Sequence, residues 1–228
     1  MSNILLTRNL ILKKCKQITS VSRRRNSTYS WGTSINGSIP INEATPDKKE
    51  MFDHPQLINT NTINEESKII KYKCGINNTA IVLENGKCYT WGNNDQGQLG
   101  HGNDKKSILK PTLLPECDLT AIGVKDIMLG YKFSAAIDAY GDLHTFGYGG
   151  SIISGGIGFL GHGDGNSYYT PKRVDSLIED GVSVKDVHVG DSHMTVLTTE
   201  GEVLTTGAGS YGRLGNLESV GKNQYHAY

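Results

Sequence analysis

The chain has 228 residues, enough to bury a good core, and its 23 basic and 23 acidic side chains leave no net charge. Its four cysteines include no C-x-x-C pair, which excludes a zinc ribbon and a thiol redox motif of that type. Cys74 and Cys88 lie in predicted strands, and we interpret them as buried thiols.

The first 28 residues carry seven basic side chains and no acidic one, since the first acid is Glu43. This composition predicts a mitochondrial targeting segment over 1–28, with cleavage near 26–30. Its apolar runs are too short for a membrane span or a secretory core. The alternative is a basic tail that binds RNA or anionic lipid. Without the segment, 16 basic residues face 23 acidic ones, which argues against broad non-specific binding to phosphate backbones.

A short phrase then recurs along the chain, in which an aromatic residue and Gly are followed by Leu-Gly. Its Gly residues are Gly32, Gly92, Gly147 and Gly207, so the steps are 60, 55 and 60 residues. Self-similarity at such a period indicates one supersecondary unit used repeatedly. We place the units near 29–58, 69–114, 124–174 and 184–215, within a domain spanning 29–228.

Each unit has the same internal order. A short apolar run ends in Gly, a β-rich run follows, and a tight turn such as Asn85-Gly86 leads to a second β-rich run. After Leu-Gly comes a polar loop and then a Pro that is predicted to open a fourth strand, as at Pro111 and Pro171. In the first unit, Pro55 is the candidate for that position.

About four strands per unit with no convincing helix predict an all-β fold, a β-propeller of four-stranded blades. The apolar runs do not alternate cleanly, which is expected of sheets covered on both faces. The recurring positions receive structural roles. They are Trp31, Gly32, Gly75, Gly86, Trp91, Gly92, Leu99, Gly100, Gly130, Gly141, Phe146, Gly147, Leu160, Gly161, Gly190, Gly201, Gly207, Leu214 and Gly215. In the last unit Thr206 replaces the large aromatic, so that blade should be looser unless a neighbour fills the gap.

These residues resemble the repeat of the regulator of chromosome condensation family. The similarity is carried by Cys74-Gly75, Asn85-Gly86, Trp91-Gly92-Asn93 and the run 97–102, and it extends over roughly 29–215. The resemblance implies a seven-bladed propeller, of which this chain would hold three to four blades. Trp31 comes in mid-repeat, without the strands expected before it. We therefore expect a fragment of a longer protein, an open half-ring, or a ring closed by a second chain.

The chain shows no catalytic constellation, and we expect no catalytic residue, cofactor or metal. His101 and His162 share one slot in successive repeats, so we assign them structural hydrogen bonds, and we interpret His193 as structural too. Asp164 lies in a loop that lacks the spacing of a calcium site.

The best candidate for binding is an insertion. Gly147 and Leu160 are thirteen residues apart, whereas the same interval in the second and fourth units is seven. The longer loop contains Ser151, Ile152, Ile153 and Ile157. Loops on rigid scaffolds are where binding evolves, so this is a candidate partner loop. The alternative is a loop that folds back on its own blade.

The resulting hypothesis is a non-enzymatic protein-interaction scaffold in the mitochondrial matrix or at the inner membrane, with mitochondrial ribosome assembly as a specific version. The expected partner is a protein, either a GTPase or a mitochondrial ribosomal particle. The alternative function is a guanine-nucleotide exchange factor for a small or mitochondrial GTPase. Such a factor needs no catalytic acid or base, because it works through differential affinity for the nucleotide-free state.

Overall fold

The fold is taken from a computed structural model of the full chain. The structure describes residues 20–24, 27–33, 51–57, 63, 67–103, 106–151, 156–215 and 223–224. Side chains are described from Asp53 to Pro55, at Ile63, and from Ser67 to Leu214 apart from gaps at 104–105 and 152–157.

Antiparallel sheets follow one another along the chain, and we number them as blades 1 to 4. Blade 1 contains β1 (Ser20–Arg24), β2 (Ser27–Thr33) and β3 (Met51–Leu57). Blade 2 contains β4 (Ile69–Cys74), β5 (Asn78–Leu83), β6 (Cys88–Gly92) and β7 (Ile108–Leu113). Blade 3 contains β8 (Val124–Leu129), β9 (Phe133–Asp138), β10 (Leu143–Gly147) and β13 (Tyr168–Arg173). Blade 4 contains β14 (Val184–Val189), β15 (His193–Thr198), β16 (Val203–Ala208) and β17 (Asn223–Gln224).

The blades are arranged radially. The first strands of blades 2, 3 and 4 lie side by side, β4 against β8 and β8 against β14. Within each of these blades the strand order runs from the first strand outward to the fourth. Neighbouring first strands therefore lie nearest the axis, and the predicted β-propeller is confirmed as a partial ring.

The predicted hairpins are confirmed, and so is burial on both faces of a blade. Gly86 and Gly141 sit between paired strands with φ of +81° and +93°, which a residue without a Cβ adopts at little cost. Every residue of β5, β6, β9 and β10 is buried. The strands of blade 3 do not alternate because blades 2 and 4 pack on their two faces.

The role given to proline was wrong in detail. Pro111 and Pro171 are each the fourth residue of their strand, not the first. The register between β6 and β7 is interrupted between Thr90 and Gly92, and Pro111 lies in that interruption. An irregularity in an edge strand needs no ladder donor, so it accepts Pro. Pro55 occupies the same place in β3.

Two short helices were not predicted. The helix α1 (Asp118–Ile122) follows blade 2, and α2 (Asp175–Glu179) follows blade 3. Each has five residues and buries one leucine, Leu119 or Leu177. A single turn carries too little periodicity to be recognised as an amphipathic pattern.

The first sheet begins earlier than the sequence indicated. The strand β1 pairs with β2 along its whole length, from Ser20 opposite Trp31 to Arg24 opposite Ser27. The expectation that Trp31 lacks the strands before it was therefore wrong in part, since the structure describes one of the two strands that precede this position in blades 2 to 4. The strand β1 was not predicted because residues 20–24 have a basic composition and lack the apolar run that opens the other units.

The missing aromatic of blade 4 is replaced from the neighbouring strand. In blade 3, Phe146 lies directly across from Ser134, whereas in blade 4 Thr206 lies directly across from Met194. The large and the hydroxyl-bearing side chain have exchanged strands. Met194 is 1% exposed and belongs to the core between blades 3 and 4. Blade 4 is therefore not loosened at this position, because Met194 fills it.

The hydroxyl group makes the same hydrogen bond to the preceding blade after the exchange. Ser134 Oγ donates to the carbonyl of Gln98 at 2.7 Å, and Thr206 Oγ1 donates to the carbonyl of Gly158 at 2.9 Å. In both blades the hydroxyl ties the sheet to the loop of the preceding blade. In each blade the large side chain and the hydroxyl-bearing side chain opposite it therefore pack together against the preceding blade.

We expect strong coupling between these two positions. Met194→Ser should cost about 3 kcal/mol through the cavity it leaves. Thr206→Phe should cost about 2 kcal/mol through overpacking against Met194. The double variant recreates the blade 3 arrangement and should recover most of the loss. Urea denaturation of the four proteins gives the coupling energy, and strictly additive losses would contradict the exchange.

Candidate interaction surface

The turns between first and second strands and the loops between third and fourth strands lie at one end of the blades. Backbone hydrogen bonds of 2.8 to 3.0 Å join each turn to its loop. They run from Asn93 to Asn77, from Tyr148 to Lys132 and from Ala208 to Ser192. We call this end the loop face. The turns between the second and third strands, such as Asn85-Gly86, and the helices α1 and α2 lie at the opposite end.

A repeated hydrogen-bond chain holds the loops of blades 2 and 3. In blade 2, Thr90 Oγ1 donates to the Leu99 carbonyl at 2.9 Å and lies 2.9 Å from His101 Nε2. In blade 3, Thr145 Oγ1 lies 2.8 Å from the Leu160 carbonyl and 2.9 Å from His162 Nε2. Because the hydroxyl proton goes to the carbonyl, the imidazole Nε2–H donates to the hydroxyl oxygen. The two histidines hold loops, as their recurrence indicated.

These histidines make the fold sensitive to acid. Burial, with a smaller contribution from Lys172, lowers the pKa of His162 to about 4, and burial lowers the pKa of His101 as well. The folded state therefore holds fewer protons than the unfolded state, whose imidazoles titrate near 6.5. The stability that His162 contributes is fully present above pH 6.5 and falls as the pH drops toward 4, by at most about 1.4 kcal/mol per pH unit. The contribution of His101 is lost in the same direction.

We expect His162→Gln to flatten this dependence, since an amide donates the same hydrogen bond without titrating. The measurement is the free energy of unfolding by urea from about pH 7 to about pH 4. Parallel curves for wild type and variant would show that His162 does not contribute to the acid sensitivity.

The loop face also exposes aromatic and aliphatic side chains that were not predicted as site residues. Tyr211 is 95% exposed, Tyr131 44% and Ile76 40%. Tyr131 and Ile76 occupy the same turn in blades 3 and 2. Tyr211 takes a place in the blade 4 loop where blade 2 has Gln96. The sequence offered one signal for this surface, because Tyr211 is an aromatic residue at a repeat position where blade 2 has the polar Gln96.

Tyr211 has a backbone conformation that is unusual for its type. Its φ is +62°, and it is the single non-glycine residue with positive φ among those the structure describes. Arg213 lies beside it, with the guanidinium carbon 5.6 Å from the centre of the ring. Arg213 also donates to the Ser210 carbonyl at 2.8 Å and hydrogen bonds with the Ser192 hydroxyl. Two hydrogen bonds thus hold the Arg213 side chain in place beside the exposed Tyr211 ring.

The insertion forms a short hairpin on the same face. Its strands are β11 (Gly150–Ser151) and β12 (Gly156–Ile157), with Gly150 opposite Ile157. The strand β12 contacts β16 of blade 4, so the hairpin does not pack on its own blade alone. Ser151 is half-buried. Ile152 and Ile153 lie outside the described residues, and only the backbone of Ile157 is described.

The remaining candidates have simple surroundings. His193 is half-buried beside Gly190, and burial lowers its pKa. Cys88 is fully buried, and burial raises the pKa of Cys74 to about 11. Within the described part of the chain, no group of three potential ligands could hold a metal ion. The helices found there are too short or too polar to cross a bilayer.

Radial four-stranded sheets with interlocking loops define a repeat-built β-propeller. The profile of the regulator of chromosome condensation (RCC1) repeat matches residues 85–137, and a second profile of the same repeat matches 69–98 and 184–213. The chain belongs to this RCC1 repeat family.

Several curated relatives share the repeat. The chain is 30% identical over 226 residues to the Protein RCC2 homolog of Danio rerio. This alignment covers 90% of this chain and 42% of that protein. It is 35% identical over 156 residues to the human E3 ubiquitin-protein ligase HERC2, covering 68% of this chain and 3% of the ligase. The chain thus spans less than half the length of these relatives.

Solved structures show the same fold. Human WBSCR16 superposes with a TM-score of 0.74 at 20% identity, covering 94% of this chain and 51% of that one. Prp20p of Saccharomyces cerevisiae superposes with a TM-score of 0.52 at 17% identity, covering 88% and 58%.

Proposed function

We propose that this protein is a non-enzymatic interaction scaffold that binds a protein partner through its loop face. The observation that carries the proposal is Tyr211, a fully projecting aromatic side chain held in a strained conformation beside Arg213. A residue in such a conformation costs about 1–3 kcal/mol and persists only where the surroundings impose it. Strain of this kind clusters at functional sites.

The chemistry of these side chains suits protein recognition. Tyr and Arg are enriched among the residues that dominate binding free energy. The Arg213 side chain is already held by two hydrogen bonds, so less conformational entropy is lost when a partner binds. Tyr131, Ile76 and the hairpin of β11 and β12, with Ser151, would extend the contact along the same face.

We further propose that the protein works in the mitochondrial matrix or at the inner membrane, in the assembly of the mitochondrial ribosome. The acid-free basic segment 1–28 supports import. The excess of acidic residues in the remainder favours specific protein contacts over bulk attraction to RNA.

Guanine-nucleotide exchange on a GTPase is the second candidate. It is favoured by the likeness to Prp20p, whose binding properties to Gsp1p and histones have been studied. A rigid loop face could favour the nucleotide-free state of a GTPase through differential affinity, with no catalytic group.

The two candidates are separated by comparing Tyr211→Ser with Tyr140→Ser. Tyr140 is 76% exposed on a hairpin at the opposite end of the blades, so it serves as the matched control. We expect wild type and Tyr140→Ser to co-sediment with mitochondrial ribosomal particles, and Tyr211→Ser to migrate more slowly. Free migration of wild type would remove the ribosomal role. Acceleration of GDP release from mitochondrial GTPases by wild type, lost in Tyr211→Ser, would instead support exchange.

Import is tested separately. Residues 1–28 fused to a reporter should enter isolated mitochondria only when the inner membrane is energised. The same segment with its basic residues changed to glutamine is the control. A reporter that stays outside in both cases would contradict the targeting assignment.

A further inference from the structure

The half-buried Lys and Arg side chains of the described region differ in how their charge is compensated. They are Lys71, Lys73, Lys132, Lys172, Arg173 and Arg213. The ammonium groups of Lys71 and Lys73 share the carboxylate of Asp126, at 3.0 and 3.1 Å. The guanidinium of Arg173 lies 3.3 Å from the carboxylate of Asp175. Such pairing is expected, because a charge that is partly withdrawn from water is costly without a partner.

Lys172 reaches a carboxylate through one hydroxyl group. Its Nζ donates to the Tyr168 hydroxyl at 2.9 Å, and that hydroxyl donates to Asp164 Oδ2 at 2.8 Å. Each of these four half-buried cations is thus linked to a carboxylate of the chain itself.

Lys132 and Arg213 have no such link. Neither forms an ion pair within the part of the chain that the structure describes, and each lies beside a tyrosine ring instead. Nζ of Lys132 is 5.4 Å from the centre of the Tyr148 ring, and the guanidinium carbon of Arg213 is 5.6 Å from that of Tyr211. A ring face attracts a cation but has no net charge to neutralise it. The two half-buried cations without a counter-charge therefore both lie on the loop face.

The two cations lie at neighbouring turns. Lys132 belongs to the turn between the first two strands of blade 3, and Arg213 hydrogen bonds with Ser192, the equivalent residue of blade 4. A Cβ on Gly130 would lie 3.3 Å from the Gly190 carbonyl oxygen, so the two turns are in contact. Blade 3 thus supplies the positive charge from its turn, and blade 4 supplies it from its loop.

Arg213 still has donors for a ligand. Its Nε–H goes to the Ser210 carbonyl, and one N–H of Nη1 goes to the Ser192 hydroxyl. The second N–H of Nη1 and both N–H groups of Nη2 have no acceptor among the described residues. They point in the parallel arrangement that binds a carboxylate through both of its oxygens. Asp191 is exposed on the same turn but makes no ion pair with Arg213 among those residues.

We propose that the loop face recognises an acidic peptide segment of its protein partner, with carboxylates of that segment paired to Arg213 and Lys132. This inference rests on the proposed function and names the chemistry of the partner at that same surface. Tyr211 and Tyr131 would contact the apolar side chains that lie between the acids.

A peptide suits this surface better than a nucleic acid does. Binding to a phosphate backbone relies on many Lys and Arg contacts, whereas only two half-buried cations lie on the described loop face. Beyond residue 28 the chain also has 16 basic residues against 23 acidic ones. RNA is therefore the competing ligand in the test.

The test is fluorescence anisotropy with a short labelled peptide of Glu-Leu-Glu-Gly repeats, compared with the same peptide carrying Gln in place of Glu. We expect wild type to bind the Glu peptide at least about tenfold more tightly than the Gln peptide. Added salt should weaken the binding of the Glu peptide, because the contact is between charges.

Neutral substitutions assign the effect to the two cations. Arg213→Gln should weaken binding of the Glu peptide by about tenfold and Lys132→Gln by about threefold, with unchanged circular dichroism. Binding of the Gln peptide should not change. Lys125→Gln is the matched control, since Lys125 is an exposed lysine of β8 at the opposite end of the blades, and it should bind as wild type does.

Three results would overturn the proposal: no binding of the Glu peptide, equal affinity for the Glu and Gln peptides, or tighter binding of a single-stranded RNA than of the Glu peptide. The failure of the proposed function looks different. If Tyr211→Ser loses its partner while the two peptides bind equally, the loop face remains the binding surface and only the acidic character of the partner is removed.

Discussion

Asp138→Ala is expected to lower the free energy of unfolding by about 3–5 kcal/mol. Asp138 is fully buried, and its Oδ1 accepts hydrogen bonds from the amides of Tyr140 at 2.9 Å and Asp142 at 3.0 Å. Its Oδ2 lies 2.9 Å from Nε2 of His144, which is also fully buried. Nδ1 of His144 has no partner within the described residues, so the substitution would leave both ring nitrogens unpaired.

The chain itself supplies the control for this variant. Blade 4 carries Thr198 and Leu204 at the equivalent positions, and Thr198 Oγ1 accepts from the Glu202 amide at 3.0 Å. The double variant Asp138→Thr with His144→Leu should keep one turn hydrogen bond and restore packing, with a loss below about 1.5 kcal/mol. Urea denaturation checks this order. Equal losses for Asp138→Ala and the double variant would contradict the role given to the pair.

Gly147→Ala is expected to cost about 3 kcal/mol or more. Gly147 has a φ of +107°, and a Cβ there would lie 2.6 Å from the Lys132 carbonyl oxygen and 2.7 Å from the Phe133 Cα. Both are backbone atoms of the turn that joins the first two strands, so neither can rotate away. For a domain of this size the melting temperature should fall by about 6–12 °C.

Gly181→Ala is the matched control for this backbone clash. Gly181 also has a positive φ, +71°, but a Cβ there meets nothing within 4 Å among the described residues. Its cost should be limited to the conformational term, about 1 kcal/mol. If calorimetry showed equal losses for the two substitutions, the close approach at Gly147 would not be what requires glycine.

Much of the fold was accessible from the sequence because the same local chemistry is repeated. Turns such as Asn85-Gly86 and the aromatic-Gly pairs fixed the strands, and the recurrence fixed their arrangement. Helix α1 was missed because five residues show no period. The role of Met194 was missed because the strand register, which places it opposite Thr206, is not visible in a single unit.

The candidate site was harder to predict. The insertion was found from its length, yet the exposed anchor lies in the next blade, at Tyr211. Its importance comes from a backbone conformation and from Arg213 beside it, and neither can be read from residue spacing. Likewise, Asp138 and His144 are six residues apart in the sequence and gave no recognisable motif, although the hairpin brings them together.

The predicted targeting segment, 1–28, overlaps the first sheet of the fold. Strand β1 lies within the segment predicted to be removed on import, and cleavage near 26–30 would take it from blade 1. The mature protein would then present a two-stranded first sheet, β2 with β3. N-terminal sequencing of the protein isolated from cells decides between a start near 26–30 and a chain that retains Ser20–Arg24.

Site-specific photo-crosslinking in living cells is the sharpest test of binding through the loop face. A photoreactive amino acid would replace Tyr211 in one protein and Tyr140 in another. We expect one protein adduct of defined mass at position 211 and none at position 140. Absence of an adduct at 211, or the same adducts at both positions, would contradict the claim that the loop face is the binding surface.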